Sequence, residues 1–228
     1  MTAYAGFDTD IFPGSDQMAW LLANTNLVWC GYYLAPTPSH GDDSWMGQRD
    51  DLADAGWGIA PVYVGQQVSG PGSKVVTAEQ GTTDGNDATD LLTGDGFPPG
   101  SCVYLDLENG APFQAPQTGY VAAWVAAVQD AGFQPGIYCS HSIAAGVIAL
   151  CPGARIWAFK IPTTALTDTT GLVYPTPAPS GCGVPGAVAW QRIQNTNLQL
   201  PGAPVPVMNV DLDTALTDDP GAPTDAEA

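Results

Sequence analysis

An α/β chain folded as a compact (β/α)8 TIM-like barrel is what this sequence predicts, on three observations. Short apolar runs alternate with helical patterns along most of the chain, the signature of parallel βαβ units. The runs number eight, the count that closes a barrel. No Gly-rich dinucleotide fingerprint follows the first run, which argues against a doubly wound sheet. At 228 residues the chain is short beside the ~250 typical of the class, which fits a barrel whose last helices are degenerate.

The elements follow in order. Residues 4–10, YAGFDTD, read as the first strand. After Pro13, residues 15–25 carry Met18, Leu21 and Leu22 on one stripe behind a capping Ser15, a helix. Residues 27–34, LVWCGYYL, are the second strand, and residues 44–56 a helix closed by Gly56. WGIAPVYVG at 57–65 is the third strand, followed by a Gly-interrupted helix at 77–96. SCVYLDLE at 101–108 is the fourth strand; the helix after it, 118–132, has the strongest pattern in the chain and is closed by Gly132. QPGIYCS at 134–140 is the fifth strand and SIAAGVIAL at 142–150 its helix. Strands six to eight are residues 155–161, 187–193 and 205–213, joined by Pro- and Gly-rich connections with little helix. The barrel is expected over residues 1–216, with a disordered acidic tail at 217–228.

The fourth strand poses the functional question. Side chains alternate faces along a strand, so Val103, Leu105 and Leu107 share one face and Tyr104, Asp106 and Glu108 the other. An unpaired buried carboxylate is costly, so the acidic face must meet water, a ligand or polar groups. Taken alone, it could be a strand running out into a solvated turn. The D-x-[DE] pattern, however, recurs at Asp8–Asp10 on the first strand and Asp211–Asp213 on the eighth. In a parallel barrel the carboxyl ends of all strands meet at one mouth, where active sites lie. Six carboxylates are therefore expected to ring one cleft, and such crowding pushes at least one carboxyl pKa upward. A protonated carboxylic acid beside an ionised partner is the equipment for glycoside hydrolysis. Tyr138, Trp157 and Trp190, each within or near the end of a strand, could offer faces on which sugar rings stack; each alone could equally be core.

Composition narrows the partners. Five Lys and Arg face 23 Asp and Glu, a net charge of −18 that repels nucleic acid and anionic membrane. Only three of the acids are Glu, at 79, 108 and 227, so a Glu ending a strand stands out; most Asp residues are solvated turn and cap residues. No apolar run reaches the ~18 residues of a membrane span, and the first residues lack the basic and apolar regions of a signal peptide. Of five cysteines, Cys30, Cys102 and Cys139 fall in apolar strands as core residues, while Cys151 and Cys182 lie in connections and could pair. No ligand spacing for zinc occurs.

The chain resembles the glycoside-hydrolase-like domain-of-unknown-function family 1906, which is similar to glycoside hydrolase family 25, the Chalaropsis-type lysozymes. The landmarks run in order to about residue 216: GFDTD, GYYL, PVYVG, QGTTDGNDA, YLDLE, PGIYCS, WAFK, AWQ and VDLD. QGTTDGNDA, at 80–88, is typical of the family-1906 branch and not of the lysozymes. Family 25 enzymes cleave the N-acetylmuramic acid–N-acetylglucosamine bond of peptidoglycan. By position the resemblance implies Glu108 as general acid and Asp106 as the group that orients the acetamido substituent or stabilises the transition state. Asp8 and Asp211 complete the acidic ring. Tyr138, Trp190, Gln191, Asp10, Asp213 and Trp157 are expected to contact substrate.

The leading expectation is a monomeric glycosidase acting on cell-wall glycan outside the cytoplasm, with no cofactor and no metal. The alternatives are a non-catalytic glycan-binding barrel and a metal-dependent hydrolase using the oxygen-rich ring. Serine chemistry lacks a G-x-S-x-G, and His40 and His141 lie in different segments.

Overall fold

The computed structural model describes residues 2–68, 75–161 and 168–223. Its strands are β1 (Tyr4–Asp8), β2 (Leu27–Tyr33), β3 (Gly58–Tyr63), β4 (Cys102–Leu107), β5 (Gln134–Ser140), β6 (Arg155–Phe159), a two-residue β7 (Asp168–Thr169), β8 (Ala189–Gln199) and β9 (Val207–Ala215). The helices are α1 (Ser15–Asn24), α2 (Arg49–Ala55), α3 (Ala78–Gly94), α4 (Ala115–Asp130) and α5 (Ala144–Leu150).

The sheet closes on itself through β1-β2-β3-β4-β5-β6-β8-β9, giving the expected eight-stranded α/β barrel, with β7 as a short addition on β8. One helix follows each of β1 to β5; after β6 the described chain has only a 3-10 turn, Pro179–Cys182, in keeping with degenerate last helices. The last strand departs from expectation. β9 runs antiparallel to both β1 and β8, so Asp211 and Asp213 lie in mid-strand and not at a carboxyl end.

Strand parity separates two cores. Between sheet and helices lies the larger, with Phe7, Leu105, Leu107, Trp124 and Leu212. Inside the barrel lies the smaller, with Trp29, Val62, Tyr104, Trp157, Ala189 and Ala215. Large rings fill this interior only where facing positions are bare: a Cβ on Gly6 would fall 2.1 Å from the Trp29 ring, and one on Gly31 2.6 Å from Asp8 Cβ. Gly6 and Gly31 thus let Trp29 and Asp8 lie side by side.

Four local expectations are corrected. Helix α1 begins at Ser15 itself, behind Gly14, and no side chain caps it. The 44–56 helix is only Arg49–Ala55, because Gly47 at φ +80° breaks the turn before it. Cys151 and Cys182 do not pair; all five cysteines are buried free thiols. The tail expected from residue 217 is docked as far as Pro223. The carbonyl of Pro220 accepts from Tyr104 Oη and Arg155 Nη1, both at 2.8 Å. The carbonyl of Gly221 accepts from Cys102 N at 2.8 Å, and Asp219 Oδ1 from Ile59 N at 3.0 Å. This segment covers the end of the barrel where β3, β4 and β6 begin; the rest of the expected tail, 224–228, lies outside the described residues.

Candidate active site at the barrel mouth

At the other end, where β1 and β4 finish, a cavity of about 340 Å³ opens. Asp8, Asp10, Asp106, Glu108 and Asp211 line it, together with Tyr33, Ser39, His40, Gln194, Asn195 and Asn209. A narrow extension of about 60 Å³ runs inward past Val62, Tyr138 and Trp157. Five of the six expected carboxylates therefore share one cleft, and the sixth, Asp213, is buried beneath it. The antiparallel β9 still delivers its acids, because register pairs Asp211 with Asp8 and Asp213 with Gly6 one layer down.

Each carboxyl has its own environment. Asp8 is 6 % exposed and accepts from Tyr33 Oη at 2.7 Å. Asp213, 2 % exposed, accepts from Trp157 Nε1 at 3.0 Å and interacts with Asp8. Asp8 Oδ2 and Asp213 Oδ2 are both buried without a donor; one proton shared between the two carboxyls would satisfy both. Asp211 accepts from the backbone N of Asn195 at 2.6 Å and from Gln191 Nε2. Asn195 aims that amide from a left-handed conformation, φ 54°, within an irregular stretch of β8 where register against β9 shifts. Asp106 is 6 % exposed, and its Oδ1 is buried without a partner. Glu108 stands exposed on the rim.

Burial raises the pKa of Asp106 well above the usual carboxylate range, and the charges of Glu108, Asp8 and Asp211 add to it. Asp211 is pushed up to about 8, by burial first and by Asp8 second. Asp213 and Asp8 are raised mainly by burial, Asp8 against the opposing effect of the Tyr33 bond. Burial and mutual repulsion thus favour the protonated forms of these floor carboxyls relative to the same groups in water.

The aromatic expectations fare unevenly. Tyr138 points inward and donates to Gln191 Oε1, so both residues belong to the site's support. Trp157, 1 % exposed, is its floor and offers no face to a sugar ring. Trp190 points away: next to inward Gln191, it packs in the outer core against Gly181, and its Nε1 donates to Lys160 O at 3.4 Å. Parity along β8, read from Gln191, already separates the two. The sequence reading missed Tyr33, which shares the inward face of GYYL with Gly31. It also missed Gln67, just past β3, whose Nε2 donates to Asp106 O at 2.9 Å and whose Oε1 accepts from Glu108 N at 3.4 Å. Among the described residues no group of three or more His, Cys, Asp or Glu side chains is set to hold a metal ion, and no helix is long and apolar enough to cross a membrane.

The sequence profile of the Rv2525c-like, glycoside hydrolase-like domain matches residues 20–214. No curated protein matches the chain. Among solved structures, an uncharacterized B. stearothermophilus protein superposes with a TM-score of 0.65 at 17 % identity, over 93 % of this chain and 95 % of that one. The Tat-secreted Mycobacterium tuberculosis protein Rv2525c, in complex with L-tartrate, gives 0.63 at 15 % identity, over 94 % and 96 %. A family 25 glycosyl hydrolase from Bacillus anthracis gives 0.61 at 12 % identity, over 94 % and 89 %.

Proposed function

The chain belongs to the Rv2525c-like, glycoside hydrolase-like domain family, and we propose that it is a glycosidase that cleaves bacterial cell-wall glycan, muramidase-fashion, at the mouth of its barrel. The observation that carries the reading is the contrast between Glu108 and Asp106, two residues apart on one strand end. Glu108 is exposed on the rim of the cavity, while Asp106 is buried at its floor with a free acceptor oxygen.

In this reading Glu108, in its acid form, gives its proton to the glycosidic oxygen as the bond to the anomeric carbon breaks. Asp106 Oδ1 accepts the N–H of an acetamido group and fixes that sugar. Asp8, Asp211 and Asp106 turn carboxyl oxygens toward the cleft, and their lone pairs face the positive charge that develops on the sugar. Water then adds to the anomeric carbon and returns a proton to Glu108, so the net change is hydrolysis of one bond. Tyr138 and Gln191 hold Asp211 in place from below. The secretion of Rv2525c supports action outside the cytoplasm, and the likeness to a family 25 hydrolase supports a wall-glycan substrate.

Purified peptidoglycan tests it. Incubation with the protein is expected to release reducing ends, with products ending in reducing N-acetylmuramic acid by mass. Pull-down on the same polymer with no release of reducing ends would point to a glycan-binding barrel. Neither binding nor release would remove the wall glycan as the substrate.

A further inference from the structure

The stretch Gln80–Ala88, QGTTDGNDA, lines neither the cavity nor its extension. We propose that it serves the site at a distance: Asp84 and Tyr120 form a positioning relay that, through Gln66 and Gln67, sets the strand end carrying Asp106 and Glu108. The catalytic part of this role rests on the glycosidase reading.

The relay begins where α3 meets α4. A Cβ on Gly81 would lie 2.2 Å from Tyr120 O, and one on Gly85 2.7 Å from Ala127 Cβ. Those two bare positions bring the helix backbones close enough for Asp84, between them, to reach across. Asp84 is 3 % exposed. Its Oδ2 accepts from Tyr120 Oη at 2.6 Å, and its Oδ1 from Gln80 Nε2 at 2.6 Å. Thr77 fixes the start of the same helix by accepting from Gln80 N at 3.1 Å.

Tyr120 Oη in turn accepts from the backbone N of Gln66 at 3.1 Å. The hydroxyl fits there because the preceding residue is Gly65, whose Cβ would lie 2.4 Å from it. A hydroxyl that donates to a carboxylate accepts more strongly on its other side. The chain just after β3 is thereby tied to the α3–α4 pair.

The next residue makes the link to the site. β3 and β4 pair directly only at Val62–Tyr104 and Tyr63–Leu105. Beyond that the ladder would end just before the acids. Gln67, 4 % exposed, continues it with its side-chain amide, donating to Asp106 O and accepting from Glu108 N. One amide group thus spans both residues that carry the acids, as a paired strand would. A misplacement of about 1 Å at such a position costs on the order of 10²-fold in rate, so the support matters to turnover more than to the fold.

Two readouts test the relay. In Tyr120→Phe and Gln67→Leu, kcat on peptidoglycan is expected to fall about 10- to 100-fold with KM within about twofold. Asp84→Asn, which keeps an acceptor for Tyr120 but loses the carboxylate, should fall between wild type and Tyr120→Phe, and Asp84→Leu should match Tyr120→Phe. The second readout is amide hydrogen exchange, which needs no turnover. Gln67→Leu is expected to speed exchange at Glu108 N–H by about tenfold, and Tyr120→Phe to do so at both Gln66 and Glu108. Tyr120→Phe removes one oxygen, so it remains informative where the Asp84 variants do not fold. Unchanged exchange at Glu108 in Tyr120→Phe would overturn the relay even in an active enzyme. A wild type that cleaves no glycan would instead strike the glycosidase reading, leaving exchange at Glu108 to decide the relay by itself.

Discussion

Asp106 sits at the cavity floor with one carboxyl oxygen buried and unpartnered, and its raised pKa has a consequence for stability. In the unfolded chain an Asp ionises near ~3.9; in the folded protein it keeps its proton to higher pH. Between those values the folded state binds more protons, so stability falls as pH rises from about 4 toward the folded pKa. Asp106→Asn removes that dependence. The variant is expected to melt above wild type at pH 7, by a margin larger than at pH 5, with each kcal/mol regained worth about 2–4 °C. Its activity should fall, the trade expected of a strained site. Equal melting temperatures for the two proteins at both pH values would mean that neither burial nor its neighbours' charges raise the Asp106 pKa. That the acids of the site meet at one cleft was legible in the sequence because D-x-[DE] puts both carboxyls on one face and parity survives folding, even on β9, where the pair lies in mid-strand. Trp190 was not: an aromatic beside a strand end is as often outward as inward, and only its neighbour Gln191 fixed the phase.

At the scale of elements, five strand–helix pairs followed from periodicity and closing glycines, while the direction of the last strand did not. β8 ends at Gln199 and β9 begins at Val207, a connection far shorter than the dozen or more residues of a parallel crossover. The two strands extend past the barrel as a hairpin arm, paired out to Gln199–Val207. Counting strands alone hid that, because residues 194–199 look polar and loop-like. The contact of α3 with α4 gives a second prediction. Gly81→Val would drive side-chain atoms into the Tyr120 backbone at a place where nothing flexible can yield. Overpacking of this kind costs typically ~1–3 kcal/mol, so thermal melting should drop by several degrees, and the bond from Tyr120 to Asp84 should be lost with it. A Gly81→Val protein that melts like wild type would show that the helices can part without cost.

For the whole molecule, the barrel has one end open on the acidic cleft and one end sealed by its own chain. The seal was not legible because it is made by backbone carbonyls of Pro220 and Gly221, while the sequence there, TDDPGAP, carries only the signs of a solvated tail. A chain ending at Leu216 would leave Tyr104 Oη and Cys102 N, both buried, without acceptors. Each such loss costs ~1–3 kcal/mol, so a fall in melting temperature on the order of 10 °C is expected. An unchanged melting curve would make the segment dispensable. Among the described residues the cavity lining contains no Lys or Arg, so an anionic group on a ligand would meet no countercharge there.

The central claim is that Glu108 is the acid of a glycosidase, and the most direct measurement compares Glu108→Gln with wild type on purified peptidoglycan, following both reducing-end release and binding to the polymer. The side chain is exposed on the rim, so the amide should leave the fold intact. The expected result is retained binding with release lowered at least ~10²-fold, the lower bound for losing a general acid; full release by Glu108→Gln would contradict the account.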